Sequence, residues 1–416
     1  MNLKSGNGAP APWWTWPGAL QRFVNGLVEA ELARLRPGRA VSHNAASGSD
    51  LVADHGADSL ELMALTAALA QTLQLEQAEM LNGLLADTRI DAWVALTAAA
   101  LDAGSGPAAI AFRSSGSAGA PKVCVHTLAT LWQEVAALAA LLPARTRIIG
   151  AVPAHHIYGF LFTVLLPQHM GVALLDVSGQ LAPATWQGLR AGDLVIGYPE
   201  FWQAALSGAG AGERACGGDI VGVSSTAPCP DSLATALEAA GLARLVQVYG
   251  SSETGGVGWR DVAAAPYRCM AYWRRDPHDD TVLLRAMPDG ASVAYPLQDR
   301  LAWDDAGGFV PAGRIDAAVQ VGGVNVYPAR VSALLRSHPL VADAAVRLMR
   351  SDEGGRLKAF IVAAGAESEH ALTGQLEALL REHTAAAERP ASYTFGAALP
   401  RQRNGKLADW IIDDGA

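Results

Sequence analysis

Cysteine is scarce in this chain of 416 residues, and it never occurs in a spacing typical of a metal site. Cys124, Cys216, Cys229 and Cys269 are scattered without a CxxC pair, and no cluster of cysteine, histidine and aspartate completes a zinc site. This pattern argues against a disulfide framework and predicts reduced thiols, as in a cytoplasmic protein.

The chain also lacks clusters of positive charge and long uninterrupted apolar runs. The net charge is −9 at pH 7 and no stretch concentrates lysine and arginine, which argues against nucleic-acid binding. The most apolar stretch, 148–177, contains two prolines and three histidines, so it predicts buried strands and a helix rather than a membrane span. No signal peptide is visible, and residues 1–17 are expected to form a mobile tail.

Lysine occurs at only four positions, and one of them, Lys122, closes a loop of unusual composition. Residues 112–122 read F-R-S-S-G-S-A-G-A-P-K. Glycines let the backbone approach a bulky anion, N–H groups and hydroxyls can bind phosphate oxygens, and the lysine adds positive charge. The spacing is not that of a Walker A motif. The loop therefore predicts a phosphate site of another kind, and the alternative is a flexible Gly/Ser linker.

The loop resembles the phosphate loop of the adenylate-forming superfamily, which includes acyl- and aryl-CoA ligases and peptide-synthetase adenylation domains. That loop reads roughly T-S-G-S-T-G-x-P-K before a histidine, and here the match runs from Ser114 to Lys122, with His126. Four more segments match family motifs in the same order: 152–160 (P-x-x-H-x-Y-G), 248–254 (Y-G-x-T-E), 299 with 313–316 (D…G-R-x-D) and 399–406 (P-R-x-x-x-G-K). Five motifs in one order argue against chance agreement.

This resemblance implies a site for ATP, Mg²⁺ and a small carboxylic acid. Asp299 would accept both ribose hydroxyls, and Glu253 would hold Mg²⁺, which prefers carboxylate and water oxygens. Adenine would stack on Tyr249. The phosphates would be held by Ser114, Ser115, Gly116, Ser117, Gly119 and Lys122. The rest of the implied ATP site consists of Thr226 and Ala227 along the base edge, with Gly250 and Ser252.

Three basic side chains are implied near the reacting atoms. Arg314 would contact the ribose and α-phosphate, Lys406 would reach between carboxylate and phosphate, and His156 would line the acyl pocket. Adjacent residues on a strand point to opposite faces, so His155 and His156 are not expected to share a metal. Simpler alternatives remain. His156 could be a buried, hydrogen-bonded histidine, Glu253 a surface acid, and Asp299 and Arg314 a surface ion pair. Lys406 could belong to a frayed tail.

Strand and helix patterns alternate after residue 105, which predicts an α/β fold with a layered adenylation core over 104–314. Strands are predicted at 110–112, 147–152, 173–177, 194–197, 220–224 and 245–249, and helices at 128–142, 199–207 and 229–240. Residues 315–416 read as a small α+β unit. The resemblance implies that this unit is a lid domain hinged near Asp316.

Residues 18–103 stand where the family has a larger subdomain, and they resemble an acyl carrier protein. The segment 57–62, A-D-S-L-E-L, is similar to the phosphopantetheine attachment motif G-x-D-S-L, which would make Ser59 the attachment site. Helices are predicted at 20–35, from Leu60 onward and at 90–101. The alternatives are a plain helical subdomain in which Asp58-Ser59 is an N-cap, or a carrier fold kept only as scaffold.

The sequence thus predicts a ligase that forms an acyl- or aryl-adenylate and passes the acyl group to a phosphopantetheine thiol, on CoA or a carrier protein. The stretch 152–160 has no acid for an amino group, which favours an acyl or aryl acid, such as a hydroxybenzoate starter in pigment or polyketide assembly. The alternative is a carrier or interaction protein with a degenerate ligase body, because Gln320 and Arg330 replace the family's lysine and acid. Residues that favour the enzyme are Lys122, Glu253, Asp299, Arg314 and Lys406.

Overall fold

The computed structural model describes residues 11–36, 48–75, 78–104, 108–114, 122–207, 218–315, 318–350, 353–365, 367–401 and 407–410. Within these ranges the chain forms two units. The first contains the described residues of 11–32, 48–114 and 122–313, and the second contains 33–36 and the described residues of 314–410.

The first unit alternates helices and strands. Its described helices are α1 (Ala19–Leu35, whose last turn is counted with the second unit), α2 (Ser59–Leu73), α3 (Ala78–Ala86), α4 (Ile90–Ala103), α5 (Leu128–Leu141), α6 (Ile157–Gly159), α7 (Leu166–Met170), α8 (Ala182–Gln187), α9 (Pro199–Ser207) and α10 (Asp231–Ala239). A π-helical segment, Phe160–Leu165, joins α6 to α7. Its described strands are β1 (Ala109–Ser114), β2 (Lys122–Thr127), β3 (Arg147–Gly150), β4 (Ala173–Asp176), β5 (Asp193–Gly197), β6 (Val221–Ser224), β7 (Arg244–Ser251), β8 (Gly255–Arg260), β9 (Tyr267–Cys269), β10 (Trp273–Arg275), β11 (Val282–Ala286), β12 (Ser292–Pro296), β13 (Asp299–Trp303) and β14 (Gly308–Arg314).

A large sheet organises the first unit. Within the described residues its strand order is β13-β14-β9-β8-β7-β6-β5-β3-β4. The strands β4, β3, β5, β6 and β7 run parallel, while β8 and β9 continue the sheet antiparallel. All residues of β5 and β6 are buried, as expected for parallel strands covered on both faces. The predicted α/β core, with its six strands and three helices, is confirmed.

The N-terminal helices pack into the same core as the sheet. Trp13, Phe23 and Phe160 form a cluster with ring centroids 5.0–5.6 Å apart, and Phe112 of β1 lies 5.6 Å from Phe160. The mobile tail predicted for 1–17 is therefore corrected for residues 11–17. Trp13 is only 1% exposed, because burying an indole ring against other aromatic rings outweighs the cost of ordering the chain end. Residues 1–10 lie outside the described ranges.

A capping box begins α2. The Asp58 carboxylate accepts the N–H groups of Leu60 and Glu61, and the Glu61 side chain accepts the N–H of Asp58. Ser59 follows the cap and is exposed. The three helices predicted over 18–103 are present, and the N-cap reading of Asp58 is confirmed. The carrier-like fold and the boundary at 103/104 stay predictions.

The second unit is a small α+β structure. Its described α-helices and strands are β15 (Val319–Val321), β16 (Val324–Val326), α11 (Pro328–Arg336), β17 (Val341–Leu348), β18 (Leu357–Ala363), α12 (Glu369–His383) and β19 (Ser392–Phe395). Side chains of α11 and α12, including Leu335 and Leu376, are buried with β17 and β18. Backbone pairing of Arg401 with Leu407, and of Ala408 N–H with Pro400 O, joins the two ends of the segment that carries Lys406.

Candidate active site

Three predicted site residues of the first unit lie at the carboxyl ends of its parallel strands. Thr226 follows β6, and Tyr249 and Glu253 lie at the end of β7 and in the turn after it. The Tyr158 hydroxyl donates to Gly197 O at the end of β5 (2.9 Å) and to Val223 O in β6 (3.3 Å). This edge is where ligands bind in open α/β sheets.

Lys122 and Glu253 meet although 131 residues separate them. Lys122 Nζ lies 3.0 Å from Glu253 Oε1, and the two side chains are 53% and 21% exposed. Burial opposes ionisation of Glu253, but the hydrogen bond and charge of Lys122, with help from Ser251, outweigh it and lower the pKa. The pair therefore presents an ionised carboxylate and an ammonium group to solvent.

That carboxylate fits the way proteins hold Mg²⁺. Among the described residues no group of three or more His, Cys, Asp or Glu side chains forms a metal cage. Mg²⁺ bound with a nucleotide usually takes one or two carboxylates and otherwise phosphate and water oxygens. One accessible, ionised glutamate beside a phosphate-loop lysine matches this donor set.

The turn that carries Glu253 is held by hydroxyl groups within it. The Ser251 hydroxyl accepts the N–H groups of Glu253 (3.2 Å) and Thr254 (3.3 Å), and the Thr254 hydroxyl accepts the Ser251 N–H (3.2 Å). His126 Nε2 lies 2.7 Å from Ser252 O, and burial lowers the pKa of this histidine. A neutral ring can bind a carbonyl only as donor, so Nε2 carries the proton. Ser252 and His126 thus tie the turn to β2.

Tyr249 and Asp299 also come together, 50 residues apart in sequence. The Tyr249 hydroxyl donates to Asp299 Oδ2 at 2.6 Å, and its ring contacts the rings of Tyr267 and Phe309, with centroids 5.7 and 5.4 Å away. Asp299 is the first residue of β13. Gly250 lies against the backbone of the next strand, since a Cβ there would be 2.1 Å from Gly255 O.

Backbone strain marks the segment after β6. Thr226 has φ of 77°, a left-handed conformation that is uncommon for residues other than glycine. It is exposed, Ala227 is half-buried, and the preceding Ser225 donates its hydroxyl to Val248 O at 2.8 Å. Such strain persists where surrounding structure holds it, often at ligand sites.

The two histidines differ from the sequence prediction. They lie in the turn before α6, not on a strand, and their rings are tilted by 41° to each other with centroids 4.1 Å apart. The expectation of opposite faces was wrong, because a turn does not alternate its side chains as a strand does. Burial lowers the pKa of both histidines, although the His156 side chain remains solvent-accessible. The role of His156 as a pocket-wall residue stays a prediction.

The remaining predicted site residues lie at strand ends or outside the described residues. Ser114 ends β1 and pairs with Lys122 in the β1–β2 register, so the two ends of the phosphate loop are adjacent. Arg314 ends β14 and is the first residue of the second unit's main segment. Positions that lie outside the described residues are Ser115, Gly116, Ser117, Gly119, Asp316 and Lys406. Of the four cysteines, Cys124, Cys229 and Cys269 are described, and none of these three forms a disulfide bond.

Sequence reasoning missed a buried ion pair next to the turn that carries Glu253. Glu134 of α5 and Arg285 of β11 are 1% exposed, with Arg285 Nη2 4.0 Å from Glu134 Oε2. Burial raises the pKa of the Glu134 carboxyl to about 7, and Arg285, the Gly256 N–H and Tyr272 oppose the shift only in part. A charge on the apolar face of α5, between Leu131 and Leu138, was the available signal.

Glu134→Gln is expected to stabilise the protein at pH 8 but not near pH 4. The Glu134 carboxyl binds its proton more tightly in the folded protein than in the unfolded chain. In the wild type this proton binding therefore contributes fully to the free energy of unfolding below about pH 4.5, and the contribution is lost as the pH rises to about 7. A shift of this size corresponds to about 3 kcal/mol, and the amide mimics the protonated acid. Melting temperatures of variant and wild type at several pH values test this. A difference that does not grow with pH would contradict it.

Among the described helices, none combines the length and the apolar character that a membrane-spanning helix needs.

Comparison with known proteins identifies the family of the chain. The family model described as AMP-binding enzyme matches residues 37–280, more than half of the chain, and the AMP-binding enzyme C-terminal domain matches 331–406. The first match includes α2 and Ser59. The chain is 37% identical over 400 residues to the 4-coumarate–CoA ligase of Rhodobacter capsulatus, covering 94% of this chain and 100% of that protein. The 4-coumarate–CoA ligase of Halorhodospira halophila is 36% identical over 394 residues, covering 93% and 97%.

Solved structures share the fold. The amide bond synthetase McbA from Marinactinospora thermotolerans gives a TM-score of 0.60 at 18% identity, over 93% of this chain and 92% of that one. A double mutant of o-succinylbenzoate CoA synthetase (MenE) from Bacillus subtilis gives 0.56 at 19% identity, over 72% and 67%. With family matches reaching from residue 37 to 406 and relatives aligned over nearly their whole length, the chain belongs to the AMP-binding enzyme family and is an adenylate-forming acyl- or aryl-CoA ligase.

Proposed function

We propose that this ligase activates an aromatic carboxylic acid with ATP and Mg²⁺ and transfers the acyl group to the thiol of CoA. The observation that carries the proposal is the Lys122–Glu253 pair at the carboxyl edge of the parallel strands, because ATP chemistry needs a phosphate-binding cation beside a metal-binding carboxylate. Relatives named 4-coumarate–CoA ligase favour a hydroxycinnamic acid of that kind. A hydroxybenzoate is the second candidate.

The chemistry has two steps. Mg²⁺ supplies charge that neutralises the phosphates and the departing pyrophosphate. A carboxylate oxygen of the acid attacks the α-phosphorus and pyrophosphate leaves. The sulfur of the CoA thiolate then attacks the acyl carbon and AMP leaves. Catalysis in the first step is mostly positioning and electrostatic stabilisation, so the protein must hold charged groups in fixed places.

The residues take the following roles in this proposal. Lys122 and the hydroxyl and N–H groups of the phosphate loop orient the β- and γ-phosphates. Glu253 holds Mg²⁺, and Tyr249 and Asp299, already joined at 2.6 Å, bind adenine and ribose. Arg314 and Lys406 stabilise the α-phosphate, and the second unit moves as a lid about a hinge near Asp316, which lets one site serve two steps.

His156 is assigned to the acid pocket. Its imidazole is neutral near pH 7, since burial lowers its pKa, so it offers a hydrogen bond rather than a charge. The turn that carries it, 153–159, is tightly packed, because a Cβ on Gly159 would lie 1.9 Å from Pro153 O. A rigid wall without a carboxylate suits an aromatic acid better than an amino acid.

A panel of acids in a pyrophosphate-release assay tests the substrate class. We expect 4-coumarate and related hydroxycinnamates to give the highest kcat/KM, with hydroxybenzoates next and fatty and amino acids far below. Each acid is assayed with and without CoA, and the thioester is identified by mass. A preference for fatty or amino acids would contradict an aromatic pocket.

The acceptor is proposed to be CoA rather than a carrier protein. In the second unit Arg330, which stands where the family usually has an acid, pairs with Glu388 at 2.8 Å. Gln320 of β15 lies 3.5 Å from Asn325 Oδ1 across the β15–β16 hairpin. Both residues thus have local partners. This favours a changed surface for thiol transfer over the loss of ligase activity.

Ser59 is expected to stay unmodified when the protein is incubated with CoA and a broad phosphopantetheinyl transferase. The helices of 18–103 bury side chains in the core shared with the sheet, which favours a scaffold role over a swinging carrier. Ser59 is exposed beside Asp58, so access alone does not prevent modification. Intact-protein mass gives the result. A phosphopantetheine increment that vanishes in Ser59→Ala would establish a working carrier instead.

A further inference from the structure

A buried polar cluster lies directly beneath the turn that carries Glu253. It consists of Glu134 on α5, Arg285 on β11, and Tyr272 and Trp273 near β10, and we call it the sub-turn cluster. The Arg285 guanidinium lies 4.6 Å from the Tyr272 ring centroid and 5.4 Å from that of Trp273. Each of the four side chains is at most 6% exposed.

The sub-turn cluster binds the backbone of the turn. Glu134 Oε1 accepts the Gly256 N–H at 2.6 Å, and Arg285 Nη1 donates to Thr254 O at 3.2 Å. The Tyr272 hydroxyl and the Trp273 indole N–H both donate to Gly256 O, at 2.9 and 2.8 Å. Backbone groups on the C-terminal side of Glu253 are thus held by four buried side chains.

The same cluster reaches the segment that follows Lys122. Arg285 Nη2 donates to Thr130 O at 2.9 Å, in the first turn of α5, and α5 follows directly from β2, which begins at Lys122. Both partners of the Lys122–Glu253 pair therefore sit on segments anchored to Arg285. A displacement of the cluster would alter the relative position of the two charges.

Glycine makes this arrangement possible. A Cβ on Gly255, which has φ of 70°, would lie 2.3 Å from Glu134 Oε2, and one on Gly256 would lie 2.7 Å from Oε1. The backbone approaches the carboxylate more closely than any side chain would allow. Well-packed apolar residues would occupy such a space at less cost than a buried ion pair, so the charged groups point to a task other than stability.

We propose that Glu134 and Arg285 are positioning residues, which set the place of the Glu253 carboxylate for Mg²⁺ and the nucleotide phosphates. This inference rests on the proposed function, in which Glu253 holds the metal. Residues behind a metal ligand typically change metal affinity by about 10–100-fold when they are replaced. Neither Glu134 nor Arg285 touches substrate in this scheme.

The test compares Glu134→Gln with Asp193→Asn in the full chain. Both changes replace a carboxylate by its amide at a buried position. Asp193, which pairs with Arg147 at 2.6 Å, begins β5 and so lies at the end of the strand away from the site. The half-saturating Mg²⁺ concentration for pyrophosphate release is measured, together with calorimetric ATP binding with and without Mg²⁺. Thioester formation from supplied acyl-adenylate and CoA is the second half-reaction.

We expect Glu134→Gln to raise the half-saturating Mg²⁺ concentration about tenfold and to weaken Mg²⁺-dependent ATP binding similarly. Thioester formation from supplied adenylate should stay near wild type, and Asp193→Asn should leave the Mg²⁺ requirement unchanged. Gly256→Ala, which separates the backbone from Glu134 without removing a charge, should reproduce the effect.

Two further outcomes separate the possible failures. If Glu253→Gln raises the Mg²⁺ requirement but Glu134→Gln and Gly256→Ala do not, the positioning inference is overturned and the proposed function stands. If Glu253→Gln leaves the Mg²⁺ requirement unchanged, Glu253 does not hold the metal. The positioning inference, which depends on that role, is then overturned as well. An equal loss of both half-reactions in Glu134→Gln and Asp193→Asn would show a purely structural role.

Discussion

Lys406→Ala is expected to lower the rate of acyl-adenylate formation by about 10²–10³-fold while leaving ATP affinity nearly unchanged. In the proposed mechanism the lysine stabilises negative charge that builds up as the carboxylate attacks the α-phosphorus. An interaction made mainly in the transition state affects the rate and not ground-state binding. Pyrophosphate release gives the rate, and calorimetry gives the ATP affinity.

Lys4→Ala is the matched control for this variant. It removes the same charge from another of the four lysines, at a position before the start of the family match at residue 37. We expect it to behave as wild type in both assays. Adenylate formation by Lys406→Ala within about threefold of wild type would contradict the assignment, because loss of a transition-state donor costs more than that.

Lys358→Met is expected to destabilise the second unit by about 3 kcal/mol. Lys358 is fully buried and its ammonium donates to Glu353 Oε2 at 2.9 Å and to Trp410 O at 2.7 Å, with Asp409 Oδ1 3.0 Å away. Methionine fills a similar volume but leaves the carboxylate and the carbonyl without this donor. Thermal and urea unfolding of variant and wild type measure the loss.

Arg350→Met provides the comparison for Lys358→Met. Arg350 binds the same two acids, at 2.8 Å to Glu353 and 2.9 Å to Asp409, but its side chain is half-exposed. Exposed ion pairs contribute about 0–1 kcal/mol, so the loss should be much smaller. Equal losses in the two variants would show that burial of Lys358 does not control its contribution.

Much of the fold could be predicted because it depends on local patterns. Apolar strands that alternate with amphipathic helices identified the α/β core, and the change of pattern after Arg314 identified the small α+β unit. The phosphate loop could be found because glycine, hydroxyl residues and lysine are contiguous there. Trp13 could not be placed, since a glycine- and proline-rich chain end gives no sign of the aromatic cluster that buries it.

The sequence by itself determined the order of elements, the loop with Lys122, and the motif that carries Glu253. Only the tertiary structure decided that these two side chains are 3.0 Å apart, that Tyr249 meets Asp299, and that the rings of His155 and His156 lie 4.1 Å apart. Glu134 and Arg285 show the reason. They come from a helix and a strand about 150 residues apart, and nothing local indicates that they share one buried space. Periodicity is a property of neighbouring residues, whereas the partner of a buried charge depends on how distant elements pack.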